Sequence, residues 1–241
     1  MKVIAVIPAR YASTRFPGKP LALLDGKPII QHVFQRVAGC DFFDAVIVAT
    51  DDQRIFDTVK NFGGEAVFTR TSHPSGSDRI AEVVQDMEVD VVVNVQGDEP
   101  FIATQPLKEL VAVFADPAVD IASLMHPIHD NVANPNAVKV VCDCDGNALY
   151  FSRAAIPFDR DAAGSAAYFK HIGVYAYRKD VLLAFTRLAP TPLERWEKLE
   201  QLRLLEHGYR IRMIKTAYTA IGIDTPQDLA AAEEYIKKGR N

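Results

Sequence analysis

Apolar and polar positions follow two different rhythms along the first half of the chain. Short runs rich in β-branched residues, Val3–Ile7, Ala45–Ala49, Ala66–Phe68 and Val89–Val95, read as strands. Between or after them, Lys27–Val37, Asp52–Phe62, Ser77–Met87 and Gln105–Ala115 carry apolar residues at helical spacing and are predicted as amphipathic helices. Strands alternating with helices imply βαβ crossovers and a parallel sheet, and near-continuous apolar strands suit a sheet covered on both faces. After about residue 117 the rhythm changes. Val119–Met125, Val138–Cys142 and Ala148–Phe151 are strand-like, and Asp143-Cys144-Asp145-Gly146 reads as a hairpin turn between the last two. Residues 152–170 are polar and irregular, and His171–Tyr177 returns to a strand pattern. Thr191-Pro192-Leu193-Glu194 combines an N-cap, a first-turn proline and a capping-box glutamate, and Asp224-Thr225-Pro226-Gln227-Asp228 opens the terminal helix in the same way. There is no internal repeat, low-complexity tract or Pro/Ser linker. Residues 1–241 are therefore expected to form a single α/β domain, doubly wound around a mostly parallel sheet, with a small β-rich insert over about residues 128–175.

Composition narrows the class without naming a chemistry. A chain of 241 residues is long enough for one large α/β domain. Its 49% apolar and 24% charged content excludes disordered, collagenous and disulfide-scaffold classes. The charge balance of 27 − 31 = −4 argues against a globally basic nucleic-acid binder. Cys40, Cys142 and Cys144 are too few for a disulfide framework and fit a reducing compartment. No apolar run approaches the roughly 18 residues of a membrane span. Pro8 and Arg10 interrupt the first apolar run, which reads as a buried strand and not a leader. The expectation is a soluble, cytoplasmic protein with no nucleic-acid or membrane partner.

Candidate chemistry begins directly after the first strand, in Ile7-Pro8-Ala9-Arg10-Tyr11-Ala12-Ser13-Thr14-Arg15-Phe16-Pro17-Gly18-Lys19-Pro20. Arg10, Arg15 and Lys19 place three positive charges there with no acid among them, and Ser13, Thr14 and Gly18 add hydroxyl and backbone donors. Open α/β sheets bind ligands beyond the carboxyl ends of their strands. Arg and Lys clamps stabilise phosphate charge, so the loop suits a nucleoside triphosphate; the plain alternative is a solvated basic loop. It is neither a Walker loop nor the glycine fingerprint of dinucleotide enzymes, which removes an oxidoreductase reading. Asp98, in Gln96-Gly97-Asp98-Glu99-Pro100, ends an apolar strand on the same rim and offers the hard oxygen that Mg²⁺ takes, although a Gly-Asp pair also suits a turn. Asp224 by itself reads as a helix cap, Asp51-Asp52 as a helix start, and Asp143 with Asp145 as turn residues. Ser75 or Ser77 can cap the helix that follows. His126-x-x-His129 lacks a third ligand and Cys142-x-Cys144 a second pair, so neither reads as a zinc site.

The first loop, followed by Asn94–Pro100, Asn134-Pro135-Asn136-Ala137-Val138-Lys139-Val140, Ala148-Leu149-Tyr150-Phe151-Ser152-Arg153 and Gly222-Ile223-Asp224-Thr225-Pro226, resembles the 3-deoxy-manno-octulosonate (KDO) cytidylyltransferases along the whole chain. The resemblance implies Mg²⁺-dependent transfer of CMP from CTP to the anomeric hydroxyl of KDO, an acidic keto-deoxy sugar, with release of pyrophosphate for lipopolysaccharide synthesis. It implies a homodimer, with the insert supplying part of the contact. It assigns Lys19, Asp98 and Arg10 to catalysis, and Asp98 and Asp224 to Mg²⁺. It places Ala9, Arg10, Ser13, Arg15, Lys19, Arg70, Ser75, Gly76, Gln96 and Asp98 around the nucleotide. Arg153, His171, Tyr175, Glu200 and Gln201 fall around the sugar acid, whose carboxylate needs cationic or amide partners. Two positions depart from the family pattern: Ser77-Asp78 stands where Thr-Glu is expected, and Lys170 where Arg is expected. Related enzymes acting on an amino-substituted octulosonate, sialic acid or pseudaminic acid are alternatives. A catalytically silent nucleotide-binding subunit is another, although it would have no need of both carboxylates.

Overall fold

A computed structural model describes residues 1–13, 15–161 and 166–239; Thr14 of the first loop lies outside them. The chain forms two compact units, Met1–Gln105 with Ala220–Asn241, and Pro106–Thr219.

The first unit begins with β1 (Val3–Ala9) and a 3₁₀ turn at Lys19–Leu21, followed by a small hairpin of β2 (Leu23–Leu24) and β3 (Lys27–Pro28). Then come α1 (Ile29–Ala38), β4 (Ala45–Thr50), α2 (Gln53–Asn61), β5 (Glu65–Phe68), α3 (Gly76–Val84), β6 (Val91–Asn94) and α4 (Thr104–Ala112), within which the division falls. β1 pairs in parallel with β4 on one side and β6 on the other, and β5 continues the sheet beyond β4. Val3–Ile7 are at most 3% exposed and Val91–Val93 fully buried, as expected of strands covered on both faces. The chain winds outward from β1 through β4 to β5, then returns to the opposite side of β1 as β6. This reversal puts the switch point of the winding beyond the carboxyl ends of β1 and β6, where such sheets bind ligands. Arg10 and Gln96–Asp98 follow those two strands.

The elements differ from the predicted ones mostly at their ends. Lys27 and Pro28 belong to the hairpin, so α1 starts at Ile29, directly after a proline held in an extended conformation. The predicted helix Gln105–Ala115 closes as a 3₁₀ turn at Val113–Ala115. Asp52 caps α2 by accepting from the Arg54 amide at 3.0 Å. Its neighbour Asp51 points elsewhere. The Asp51 carboxylate takes Arg79 Nη2 at 2.8 Å, while Arg79 Nη1 donates to Thr69. With Arg79 only 4% exposed, this pair ties the end of β4 to α3 inside the core.

The second unit contains β7 (Ile121–Ile128), β8 (Lys139–Cys142), β9 (Ala148–Ser152), β10 (Tyr168–Arg178), α5 (Lys179–Phe185), α6 (Pro192–Glu197), α7 (Gln201–Glu206) and β11 (Arg212–Lys215). β7 lies between β10, antiparallel, and β11, parallel. β8 and β9 form the expected hairpin, its turn closed by Asp143 Oδ1, which accepts from the amides of Asp145 (3.0 Å) and Asn147 (2.7 Å). β10 is longer than predicted and slips register against β7 between Ile172 and Tyr175. The chain then ends in α8 (Pro226–Gly239), part of the first unit. Among the described residues no helix is long and apolar enough to cross a membrane.

Removing Arg79 leaves the partly buried Asp51 carboxylate uncompensated, so Arg79→Leu is expected to lower stability by about 2–4 kcal/mol in urea denaturation. Arg79→Leu with Asp51→Leu should recover much of that loss.

Candidate active site

Three distant segments converge at the switch point. Lys19 comes from the 3₁₀ turn after β1, Asp98 from the loop after β6, and Asp224 from the approach to α8. The Ile223 amide donates to the Asp98 carbonyl at 2.9 Å, and the fully buried Ile223 side chain packs with Leu24, Ile29 and Ala232. Burying one such side chain contributes about 1.5–3 kcal/mol. Asp224, which alone reads as a cap, does not serve as one. Thr225 Oγ1 accepts from the Asp228 amide (3.2 Å), and the Asp228 carboxylate accepts from the amides of Asp224 (3.0 Å) and Thr225 (2.8 Å). The carboxylate of Asp224 is thereby left facing the site.

Between the two acids sits the Lys19 ammonium, 2.6 Å from Asp98 Oδ2 and 3.1 Å from Asp224 Oδ1. Arg15 Nη1 takes the other oxygen of Asp224 at 3.1 Å. Burial alone would lower the pKa of Lys19, but the two carboxylates, Asp98 foremost, outweigh it and hold the pKa above its ordinary value. A cation held between two hard carboxylate oxygens is the donor arrangement that Mg²⁺ uses. Among the described residues no group of three His, Cys, Asp or Glu is placed to hold a metal ion, so further ligands would have to come from phosphate and water.

Around this cluster runs a cleft of about 260 Å³. Of the expected residues, Ala9, Arg10, Ser13, Arg15, Lys19, Ser75, Gly76, Gln96, Asp98 and Asp224 line it. Arg10 is exposed, with no partner among the described residues. Ser75 caps α3, accepting from the Asp78 amide at 3.2 Å. A Cβ on Gly76 would lie 3.2 Å from Pro8 Cγ, and one on Gly97 3.1 Å from the Pro8 carbonyl oxygen, so a side chain at either position would crowd Pro8 and require it to shift by a few tenths of an ångström. Arg70 is not on the lining: its Nε lies 3.2 Å from Glu82, which also accepts its amide. Glu82, on α3, holds this arginine back from the cleft.

The remaining expected residues lie in the second unit. His171 packs edge-on against Phe151 and tilted against Tyr175, with ring centroids 5.0 and 5.3 Å apart, and its Nε2 lies 3.1 Å from Ser123 Oγ. Burial, assisted by the charge of Lys170, lowers its pKa to about 3. At neutral pH it is therefore an uncharged hydrogen-bonding group. Burial first, then Tyr177 and Glu200, push the Tyr175 phenol well above its ordinary pKa. Arg153 donates from Nε to the Glu197 carbonyl (2.7 Å) and from Nη1 to the Pro135 carbonyl (2.9 Å). Its guanidinium donates to backbone carbonyls, while the Glu197 carboxylate accepts the Arg153 amide at 2.9 Å. Gln201, buried, and Glu200, partly buried, stand at the start of α7.

The sequence pattern of the Cytidylyltransferase family matches residues 4–212. A 3-deoxy-manno-octulosonate cytidylyltransferase of Pelobacter propionicus is 50% identical, over 98% of this chain and 98% of its own. The enzyme of that name from Geobacter metallireducens is 48% identical over 99% of each. The chain belongs to the cytidylyltransferase family. A solved structure of CMP:2-keto-3-deoxy-manno-octonic acid synthetase complexed with CTP superimposes with a TM-score of 0.95 at 44% identity, over 99% of this chain and 100% of the other. A 4-diphosphocytidyl-2C-methyl-D-erythritol synthase from Anaerococcus prevotii, 14% identical with a TM-score of 0.64, shares the fold, covering 98% of this chain and 99% of its own. In this cytidylyltransferase the cleft also exposes residues the sequence did not single out: His73, Arg79, Pro8 and Gly97. Only the short spacing of His73 and Glu82, nine residues apart, could have flagged one of them.

The lowered pKa of His171 makes stability pH-dependent. The unfolded chain takes up a proton below about pH 6.5 and the folded chain does not, so the stabilisation is complete above that pH and is lost as pH falls towards 3. In His171→Gln, the drop in urea-unfolding free energy between pH 7 and pH 5 is expected to shrink by at most about 2 kcal/mol.

Proposed function

We infer that this chain is a nucleotidyltransferase that moves CMP from CTP to the anomeric hydroxyl of 3-deoxy-D-manno-octulosonate, releasing pyrophosphate for lipopolysaccharide synthesis. The observation that carries the reading is the Lys19 ammonium held between Asp98 and Asp224 in a cleft that also presents Arg10 and Arg15. Full-length relationship to KDO cytidylyltransferases supplies the substrates.

Charge arithmetic supports a metal. Arg10, Arg15 and Lys19 against Asp98 and Asp224 give 3 − 2 = +1, whereas a nucleoside triphosphate carries about four negative charges at neutral pH. The two carboxylates would repel it unless a further cation joined them, and Asp98 and Asp224 are the residues that would hold Mg²⁺. When bound, Mg²⁺ neutralises phosphate charge and lowers the pKa of the attacking hydroxyl. Arg10, Arg15 and Lys19 grip the triphosphate and stabilise the leaving pyrophosphate. The anomeric oxygen forms a bond to the α-phosphorus as the α–β bridging bond breaks, and the hydroxyl proton is lost to solvent. No protein nucleophile is needed, because this chemistry depends on positioning and electrostatics.

On the sugar side, Arg153 supplies the charge for the carboxylate, while neutral His171, Tyr175, Glu200 and Gln201 supply hydrogen bonds to hydroxyls. Of the nucleotide set, Ala9, Ser13, Ser75, Gly76 and Gln96 shape the cleft around ribose and base. The protein works in the cytoplasm as a homodimer, a reading supported by the exposed Leu149 and Phe158 within residues 128–175.

The purified chain with Mg²⁺ should release pyrophosphate from CTP with KDO, and not from UTP, ATP or GTP, nor from CTP with N-acetylneuraminate. Release with neuraminate alone would overturn the sugar assignment. Lys19→Ala and Asp98→Asn are expected to lower kcat by about 10²-fold or more, and chelation of Mg²⁺ to stop turnover. Near-normal turnover in either variant would refute the roles given to these residues.

A further inference from the structure

The nucleotide cleft holds a histidine that the reaction does not use. His73 lies between β5 and α3 and lines the cleft beside Ser75 and Gly76, its side chain 9% exposed. Its Nε2 is hydrogen-bonded to Glu82 Oε2. The same carboxylate accepts the Arg70 amide at 3.0 Å and faces Arg70 Nε at 3.2 Å, so it is fixed from two sides. Burial acts to raise the Glu82 pKa, but the bonds from His73 and Arg70 outweigh it and keep the carboxyl below its ordinary value, hence ionised.

An ionised carboxylate only accepts, so Nε2 of His73 must be the donor. In the neutral ring the lone pair then sits on Nδ1, which has no partner among the described residues. Nearby polar side chains are already engaged: Arg79 with Asp51 and Thr69, Ser75 with the cap of α3. In that neutral form the ring presents an acceptor on this wall of the cleft, its tautomer set from behind by Glu82.

We propose that His73, in its neutral form, reads the base, its Nδ1 accepting a hydrogen bond from the exocyclic amino group of cytosine, with Glu82 as the positioning residue that fixes the tautomer. The inference rests on the reading of this cleft as the CTP site. Uracil carries a carbonyl oxygen where cytosine carries that amino group, so UTP would set one lone pair against another. Arg70, which the resemblance placed around the nucleotide, acts on it here at second hand, by anchoring Glu82.

The test is calorimetric binding of CTP and of UTP to the full chain with Mg²⁺ and no sugar, so that the sugar assignment does not enter. The unaltered protein should favour CTP. His73→Gln, whose amide can turn either its oxygen or its N–H towards the base, should reduce the CTP-over-UTP preference at least tenfold, about the effect of one discriminating hydrogen bond. Glu82→Gln lets position 82 donate to Nε2, moves the proton to Nδ1 and should shift the preference in the same direction. Should one variant fail to fold, the other decides. A preference unchanged in the variants while CTP still binds overturns the role of His73 and leaves the proposed reaction standing, as does a parallel loss of both nucleotides, which marks a purely structural residue. Failure of the unaltered protein to bind CTP removes both readings.

Discussion

One ammonium group holds the site together. Asp98 and Asp224 converge on the same small volume, and two ionised carboxylates so placed repel each other unless a cation lies between them. Lys19 provides it, from 79 residues before Asp98 and 205 before Asp224. Everything nearby serves to keep that meeting point fixed. The Ile223 amide is tied to the Asp98 carbonyl, the Ile223 side chain is buried under α8, and Thr225 with Asp228 closes the helix start so that Asp224 need not. The cost of partly burying three charges is met by their mutual attraction, an arrangement sensitive to the loss of any one member.

The framework of the first unit was legible because its strands are buried on both faces. That burial forces continuous apolar runs, and the runs at Val3–Ile7 and Ala45–Ala49 appear almost unchanged as β1 and β4. Pro28 and the adjacent Asp25-Gly26 turn moved the start of α1, a local effect that helical periodicity does not register. The basic loop and Asp98 could be read because they directly follow strands whose carboxyl ends form the rim. Pairings through space could not. Nothing in the order of residues says that Asp51 turns to Arg79 while Asp52 caps a helix, or that Glu82 takes hold of both Arg70 and His73. The choice between a cap and a ligand at Asp224 likewise depends on which neighbour reaches the helix amides first.

The second unit handles charge in another way. Lys139 is fully buried, and among the described residues its ammonium donates only to backbone carbonyls, those of Asn134 (2.9 Å) and Arg153 (2.7 Å). Burial lowers its pKa, yet it sits where it joins β8, the loop before it and the end of β9. Beside it, the Glu197 carboxylate accepts from Ser152 Oγ and the Arg153 amide, while the Arg153 guanidinium reaches Glu197 through its backbone carbonyl. The two cations of this region are held by backbone carbonyls, while His171 next to Phe151 stays neutral at neutral pH. Charge and hydrogen-bonding capacity are thus divided between different side chains.

The two glycines against Pro8 differ in what blocks them, and that difference constrains how the cleft can evolve. At position 76 the obstacle is a side chain: the nearest atoms to an added methyl are Cγ and Cβ of Pro8. At position 97 the obstacle is the backbone oxygen of residue 8, which every amino acid carries. A change at position 76 becomes accessible once position 8 has lost its ring, so the order of the two mutations matters. No replacement at position 8 opens position 97. One wall of the cleft can be remodelled by a two-step path, whereas the other changes only if the backbone at residue 8 shifts by a few tenths of an ångström.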